Sequence, residues 1–101
     1  MLFHEVEQYV SRENFADIVN GSSPERHMDA DKMAAEILSE TKDRERARRN
    51  AVSLISQALK PWLVDEFKRM GALVGLCMAL RLSLDGEFDL GDMFRDAGLK
   101  N

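Results

Sequence analysis

Cysteine is almost missing from this chain, and with Cys77 alone among 101 residues no disulfide can form within it. The fold therefore has to be held by packing, and a reducing, cytosolic setting is the simplest fit. Long apolar runs are missing too. The longest stretch without a charge, Met70 to Leu80, has 11 residues, whereas crossing a bilayer takes about 20, so neither a membrane span nor a membrane partner is expected. The opening MLFHEVEQYV places Glu5 and Glu7 where a secretory signal would carry basic residues ahead of an apolar run. Histidine is limited to His4 and His27, which sit in separate segments and match no H-x-x-x-H ligand spacing. There is also no glycine-rich phosphate loop, because Gly71 and Gly75 lack the lysine and hydroxyl that would follow them.

What is present suits a small helical domain. Hydrophobic residues make up 45% of the chain and charged ones 32%, a charge content above the usual ~25% and typical of helices with solvated faces. A chain this short forms one domain, spanning residues 1–101, and buries only about 65% of the surface its unfolded form exposes. The net charge of −4 is distributed unevenly. Residues 1–40 hold nine acids and three bases, and residues 41–50 hold five bases and two acids. The basic block is local, and the acidic balance elsewhere argues against nucleic-acid binding through the overall field.

Local signals set out the helices. Ser11 as N-cap, Val10 stapling onto Phe15 and the stop at Asn20-Gly21 predict a helix between Val10 and Asn20, preceded by a segment built on Leu2, Phe3, Val6 and Val10. Gly21 to Pro24 is linker-like, and the next helix begins either with Ser23 as cap and Pro24 as first residue, or at Asp29. From Asp29 to Lys60 the pattern stays helical through Met33, Ile37, Leu38, Ala51, Val52, Ile55, Ala58 and Leu59. As one unbroken rod it would be about 48 Å long. That rod has a fault, because turning 100° per residue places Arg44 and Arg48 within about 40° of the Ile37 and Ile55 direction. Two charges do not stay buried without partners. Either the helix breaks near Ser39 to Asp43 with Thr41 as a new cap, or its middle projects from the body. The third solution is that acids of a partner or of a second copy meet the arginines.

Lys60-Pro61 closes this region, and Pro61 opens the most apolar helix, expected over about 61–84. Leu63, Phe67, Met70, Val74, Cys77 and Met78 form one stripe of it, and Leu73, Leu76 and Leu80 widen the apolar surface to the other side. Gly71, Gly75 and Ala79, spaced by four, suit close helix packing. Asp85-Gly86 admits two readings, a helix stop at the glycine or a short β-hairpin. The hairpin is disfavoured, since a two-residue turn would pair Leu84 with Glu87 and Leu82 with Asp89. A short last helix follows, with Asp89 as cap, Phe88 stapling onto Met93, Gly98 as stop and Leu99 packing back on Phe94.

Two surfaces stand out as functional candidates. Trp62, Leu73, Leu76 and Leu80 form a second apolar face of the central helix, covered either within the monomer or by a second copy in a homodimer. Lys42, Arg44, Arg46, Arg48 and Arg49 form the basic cluster. On one helix, Lys42, Arg46 and Arg49 share a face whose donors suit phosphate oxygens, and no interleaved aromatic offers base stacking. The competing reading is a solvated face paired through Glu40–Arg44 and Glu45–Arg49. Asp29, Asp31, Glu36, Glu40, Asp65 and Glu66 lack a Glu-x-x-His companion and fit helix-start acids better than a metal site. Cys77, in apolar surroundings, has the setting of an inert buried thiol. The expectation is an all-α bundle of four to five helices around a central apolar helix. It is read as a non-enzymatic interaction or regulatory protein, homodimeric and cytoplasmic, without cofactor or metal. Its partner is another protein or a second copy, and the alternative is a nucleic-acid-binding regulator using Lys42 to Arg49.

Overall fold

Ser23 caps the first described helix, its Oγ accepting a hydrogen bond from the Arg26 amide at 3.2 Å, and Pro24 takes the first helical position. This is the first of the two expected starts. The computed structural model describes residues 22–58 and 66–98. Among them are four helices and no strand: α1 (Pro24–Glu40), α2 (Arg44–Ala58), α3 (Glu66–Leu84) and α4 (Leu90–Asp96). The expected elements before Gly21, the turn at Lys60-Pro61, Trp62, Leu63 and Leu99 lie outside the described residues. A radius of gyration of 12.1 Å is that of a compact chain, for which about 13 Å is usual at 100 residues.

The long helix breaks where the arginines require it. Thr41 closes α1, its amide and its Oγ1 both donating to the Ile37 carbonyl oxygen at 2.9 and 2.8 Å. Asp43, and not Thr41, caps α2, its Oδ1 accepting from the amides of Glu45 at 3.1 Å and Arg46 at 3.3 Å. A carboxylate two residues further on has the reach to these free amides, and it complements the positive helix end.

α1 and α2 both pack on α3, while α4 touches α2 and α3. The core faces of the first two helices are narrow rows at i, i+4 spacing: Ala30, Ala34 and Leu38 on α1, and Ala47, Ala51 and Ile55 on α2. These small side chains let the helices come close. The approach is tightest at Gly75 of α3, where a Cβ would fall 2.7 Å from the Cβ of Leu54 and 3.2 Å from both the Ala51 carbonyl oxygen and the Ile55 nitrogen. The expected role of the small-residue spacing is therefore met at Gly75. α3 is the central element, with residues 72–80 buried without interruption. Among the described residues no polar or charged residue is buried.

The stretch from Leu80 to Leu90 is not a hairpin. Residues up to Leu84 complete α3, and the amides of Gly86 and Glu87 donate to the carbonyl oxygens of Ser83 at 3.0 Å and Leu82 at 3.3 Å. That pair of bonds is the Schellman stop, with Gly86 in the left-handed region at φ +76°. Asp89 then caps α4 as expected, its Oδ2 accepting from the Asp92 amide at 3.0 Å.

Candidate functional site: an apolar groove beside a locked basic cluster

The break between α1 and α2 gives both unplaced arginines partners within their own chain. Arg44 reaches back over the end of α1, its Nη2 donating to the Leu38 carbonyl oxygen at 2.9 Å and to that of Thr41. Its Nε lies 3.8 Å from Glu87 on the loop between α3 and α4. Arg48 pairs with Asp96 at the end of α4 and stands 5.7 Å from the centroid of the Phe88 ring. Helix-end carbonyls, two acids and an aromatic face thus satisfy the two arginines. No partner's acids are needed, and the expected Glu40–Arg44 and Glu45–Arg49 pairs are not among the ion pairs of the described residues. Of the five cationic side chains in the cluster, Lys42, Arg46 and Arg49 remain exposed.

A second clamp, which the sequence reading missed, ties α1 to α3. Arg81 grips Asp31 with both arms of its guanidinium, Nε to Oδ1 at 2.9 Å and Nη2 to Oδ2 at 2.8 Å. The hydrogen bonds to Asp31 push the Arg81 pKa upward from its ordinary value, against a smaller downward effect of burial. A separation of 50 residues leaves no spacing signal in the sequence. Below this clamp lies Cys77, fully buried. Burial first, and the Asp31 charge second, push its thiol up to about 12. It stays protonated and unreactive at neutral pH. Among the described residues no group of three or more His, Cys, Asp and Glu comes together as a metal-binding set.

Leu73, Leu76 and Leu80, expected at a protein interface, are each 0% exposed in the single chain. They meet the chain's own interior, so in this conformation they offer no surface to a partner. An open apolar surface lies elsewhere, on the opposite flank of α3. Met33 and Ile37 of α1, Leu54 and Gln57 of α2, and Met70, Gly71 and Val74 of α3 line a groove of about 620 Å³. Among the described residues of that lining, Gln57 is the only polar side chain. Met33 remains 44% exposed at its mouth.

The groove follows from the same phase that builds the core. On α1 the alanines turn inward, which leaves the larger Met33 and Ile37 at the edge of the interface. Gly71 of α3 adds no side chain to fill the space between them. Its absent Cβ would lie 3.7 Å from the Leu54 Cδ2, an ordinary contact, so this end of the α2–α3 interface is looser than the end at Gly75. In the sequence, Met33 and Ile37 stand among the apolar positions of the helical pattern. The signal that separates them from the core, the row Ala30, Ala34 and Leu38, was present but weak, because alanine carries little hydrophobic weight.

The chain matches no protein-family model, no curated protein and no solved structure. No helix among the described residues is long and apolar enough to cross a membrane.

Proposed function

We propose that the chain is a non-catalytic interaction or regulatory protein that works by docking a helix of a protein partner into the groove between α1, α2 and α3. The observation that carries this reading is the groove itself, an apolar cleft with one polar lining residue among those described. Amphipathic helices bind such clefts through apolar side chains at i, i+3/i+4 and i+7. Methionines at two of its walls, Met33 and Met70, can reshape to fit the anchors they meet. A cytosolic setting, suggested by the single thiol, remains part of this proposal.

A homodimer joined through this groove is one form of the proposal, since Leu73, Leu76 and Leu80 are interior. Solution mass by light scattering across a concentration series tests that form directly. A mass near twice 11.5 kDa that falls to the monomer value in Met33→Glu places a second copy in the groove. A dimer indifferent to Met33→Glu contradicts the groove as the contact, and a wild-type monomer leaves the groove to a different protein.

The nucleic-acid reading is supported by the exposure of Lys42, Arg46 and Arg49 at the start of α2. It is narrowed by the commitment of Arg44 and Arg48 to internal partners. Three cations touching phosphates would give log K against log salt a slope of about −2.7 for duplex DNA. Binding that is insensitive to salt, or that survives Arg46→Ala with Arg49→Ala, removes this alternative.

A further inference from the structure

We infer that the groove takes a basic amphipathic helix from another protein. This rests on the groove being a docking site, and adds the charge of what docks there. The argument begins with the rim. Counting 100° per residue along α1, Glu40, Asp29 and Glu36 lie within about 60° of Met33, on the side turned away from Ala34 and the core. All three are exposed, and none takes part in an ion pair among the described residues. Of the other two acids of α1, Glu25 is exposed in the first turn and Asp31 is held by Arg81. Across the groove, the exposed residues of α2 nearest Leu54 are Asn50 and Gln57, which carry no charge. Of the neighbouring bases, Lys32 and Arg69 lie about 100° around their helices from Met33 and Met70, whereas Arg26 lies about 20° from Met33, about two turns toward the start of α1, and has an interaction of its own. Among the described residues, the α1 edge of the mouth therefore carries three acids against Arg26 in its first turn, and the α2 edge is neutral.

An apolar groove with one acidic edge selects its occupant by charge. A helix whose apolar stripe is flanked by lysine or arginine places cations against Asp29, Glu36 and Glu40, while a helix with an acidic flank meets repulsion there. The chain's own amino-terminal twenty residues, with four acids against Arg12 alone, have the wrong sign. A second copy presents the same acidic edge. Its one basic segment begins α2, whose apolar row Ala47, Ala51 and Ile55 is already buried in its own core. The remaining match is a separate protein with a basic amphipathic helix.

The test uses the full chain and two fluorescent helical peptides of about 18 residues, five turns, one built from leucine and lysine and the other from leucine and glutamate. Binding is followed by fluorescence polarisation. The leucine–lysine peptide is expected to bind, with affinity falling at least ~10-fold toward 1 M salt, where the screening length is ~3 Å. Glu36→Lys combined with Glu40→Lys is expected to weaken it by a similar factor. Met33→Glu decides between docking and mere attraction. It adds negative charge, so unspecific charge pairing strengthens, whereas docking in the groove weakens. Melting followed by circular dichroism confirms that the variants fold. Equal binding of both peptides, or indifference to the charge reversal, overturns the inference while leaving the groove reading intact. Failure of both peptides to bind, or binding that Met33→Glu leaves unchanged or strengthens, overturns the groove reading as well. A dimer abolished by Met33→Glu puts a second copy in the groove and overturns the inference in its choice of occupant.

Discussion

Gly75 and Gly71 are one helical turn apart on α3, yet the structure gives them opposite responses to the same substitution. A Cβ at Gly75 meets backbone atoms of α2 at 3.2 Å and the Leu54 Cβ at 2.7 Å, and a helix backbone yields only by moving the whole element. Gly75→Ala is expected to destabilise the protein by about 1–3 kcal/mol, even after the ~1 kcal/mol that alanine gains in a helix interior. Among the described residues Gly71→Ala meets one side-chain carbon, at 3.7 Å, and keeps that helix gain, so it is expected to stabilise by about 0.5–1 kcal/mol. Urea unfolding of the two variants checks the pair. Cys77 supplies a pH dependence. Its folded pKa, near 12, stands above the ordinary 9.0, so the folded state keeps the proton that the unfolded state releases. Its contribution to stability is complete below pH 9 and is lost between pH 9 and about 12, at ~1.4 kcal/mol per pH unit. Cys77→Ala is expected to flatten the stability curve in that window. In the native protein at pH 8, alkylation of Cys77 is expected to proceed only through unfolding.

Where the sequence carries explicit punctuation, the elements were legible. Ser23-Pro24, Gly86 and Asp89 each do in the structure what their chemistry suggests. At the break after α1 only the conflict was legible, because a continuous helix would have buried Arg44 and Arg48, and the break was one of three ways out of it. What remained hidden was how the arginines are satisfied, since Leu38, Glu87, Phe88 and Asp96 reach them only once the chain has folded back. The choice of cap, Asp43 over Thr41, was hidden as well, because both residue types are good caps and only the geometry of the turn selects one. These contacts make the α1–α2 junction a structural joint. Arg44→Ala removes hydrogen bonds to two carbonyl oxygens at the end of α1 and is expected to cost about 1–2 kcal/mol. Asp43→Ala frees two amides of α2 and is expected to cost about 1 kcal/mol. Thermal melts of the single variants measure both. Their effects should not add fully, since the two residues hold the same joint.

At the scale of the whole molecule, the all-helical class and the central place of the apolar helix were legible from composition and periodicity. The candidate site was not, and the cause is a matter of phase. Apolar residues on α1 form two rows, one of small side chains that closes the core and one of large side chains, Met33 and Ile37, that borders the groove. A wheel weighted by hydrophobicity favours the large residues, whereas helix packing selects the small ones, since they allow close approach to α3. The leucines expected at an interface turned inward for the complementary reason: α1, α2 and α4 all pack on or against α3. Docking at the groove can be read from the methionines, which sample distinct places in the described fold. Met33 and Met70 line the groove, Met28 is exposed away from it, and Met78 and Met93 are buried. The measurement is a methyl NMR titration of protein labelled with ¹³C at the methionine methyls, using the leucine–lysine peptide. The account predicts that the Met33 and Met70 methyl signals move and saturate together while that of Met28 stays in place. Saturating movement of Met28 with Met33 and Met70 unmoved would contradict it.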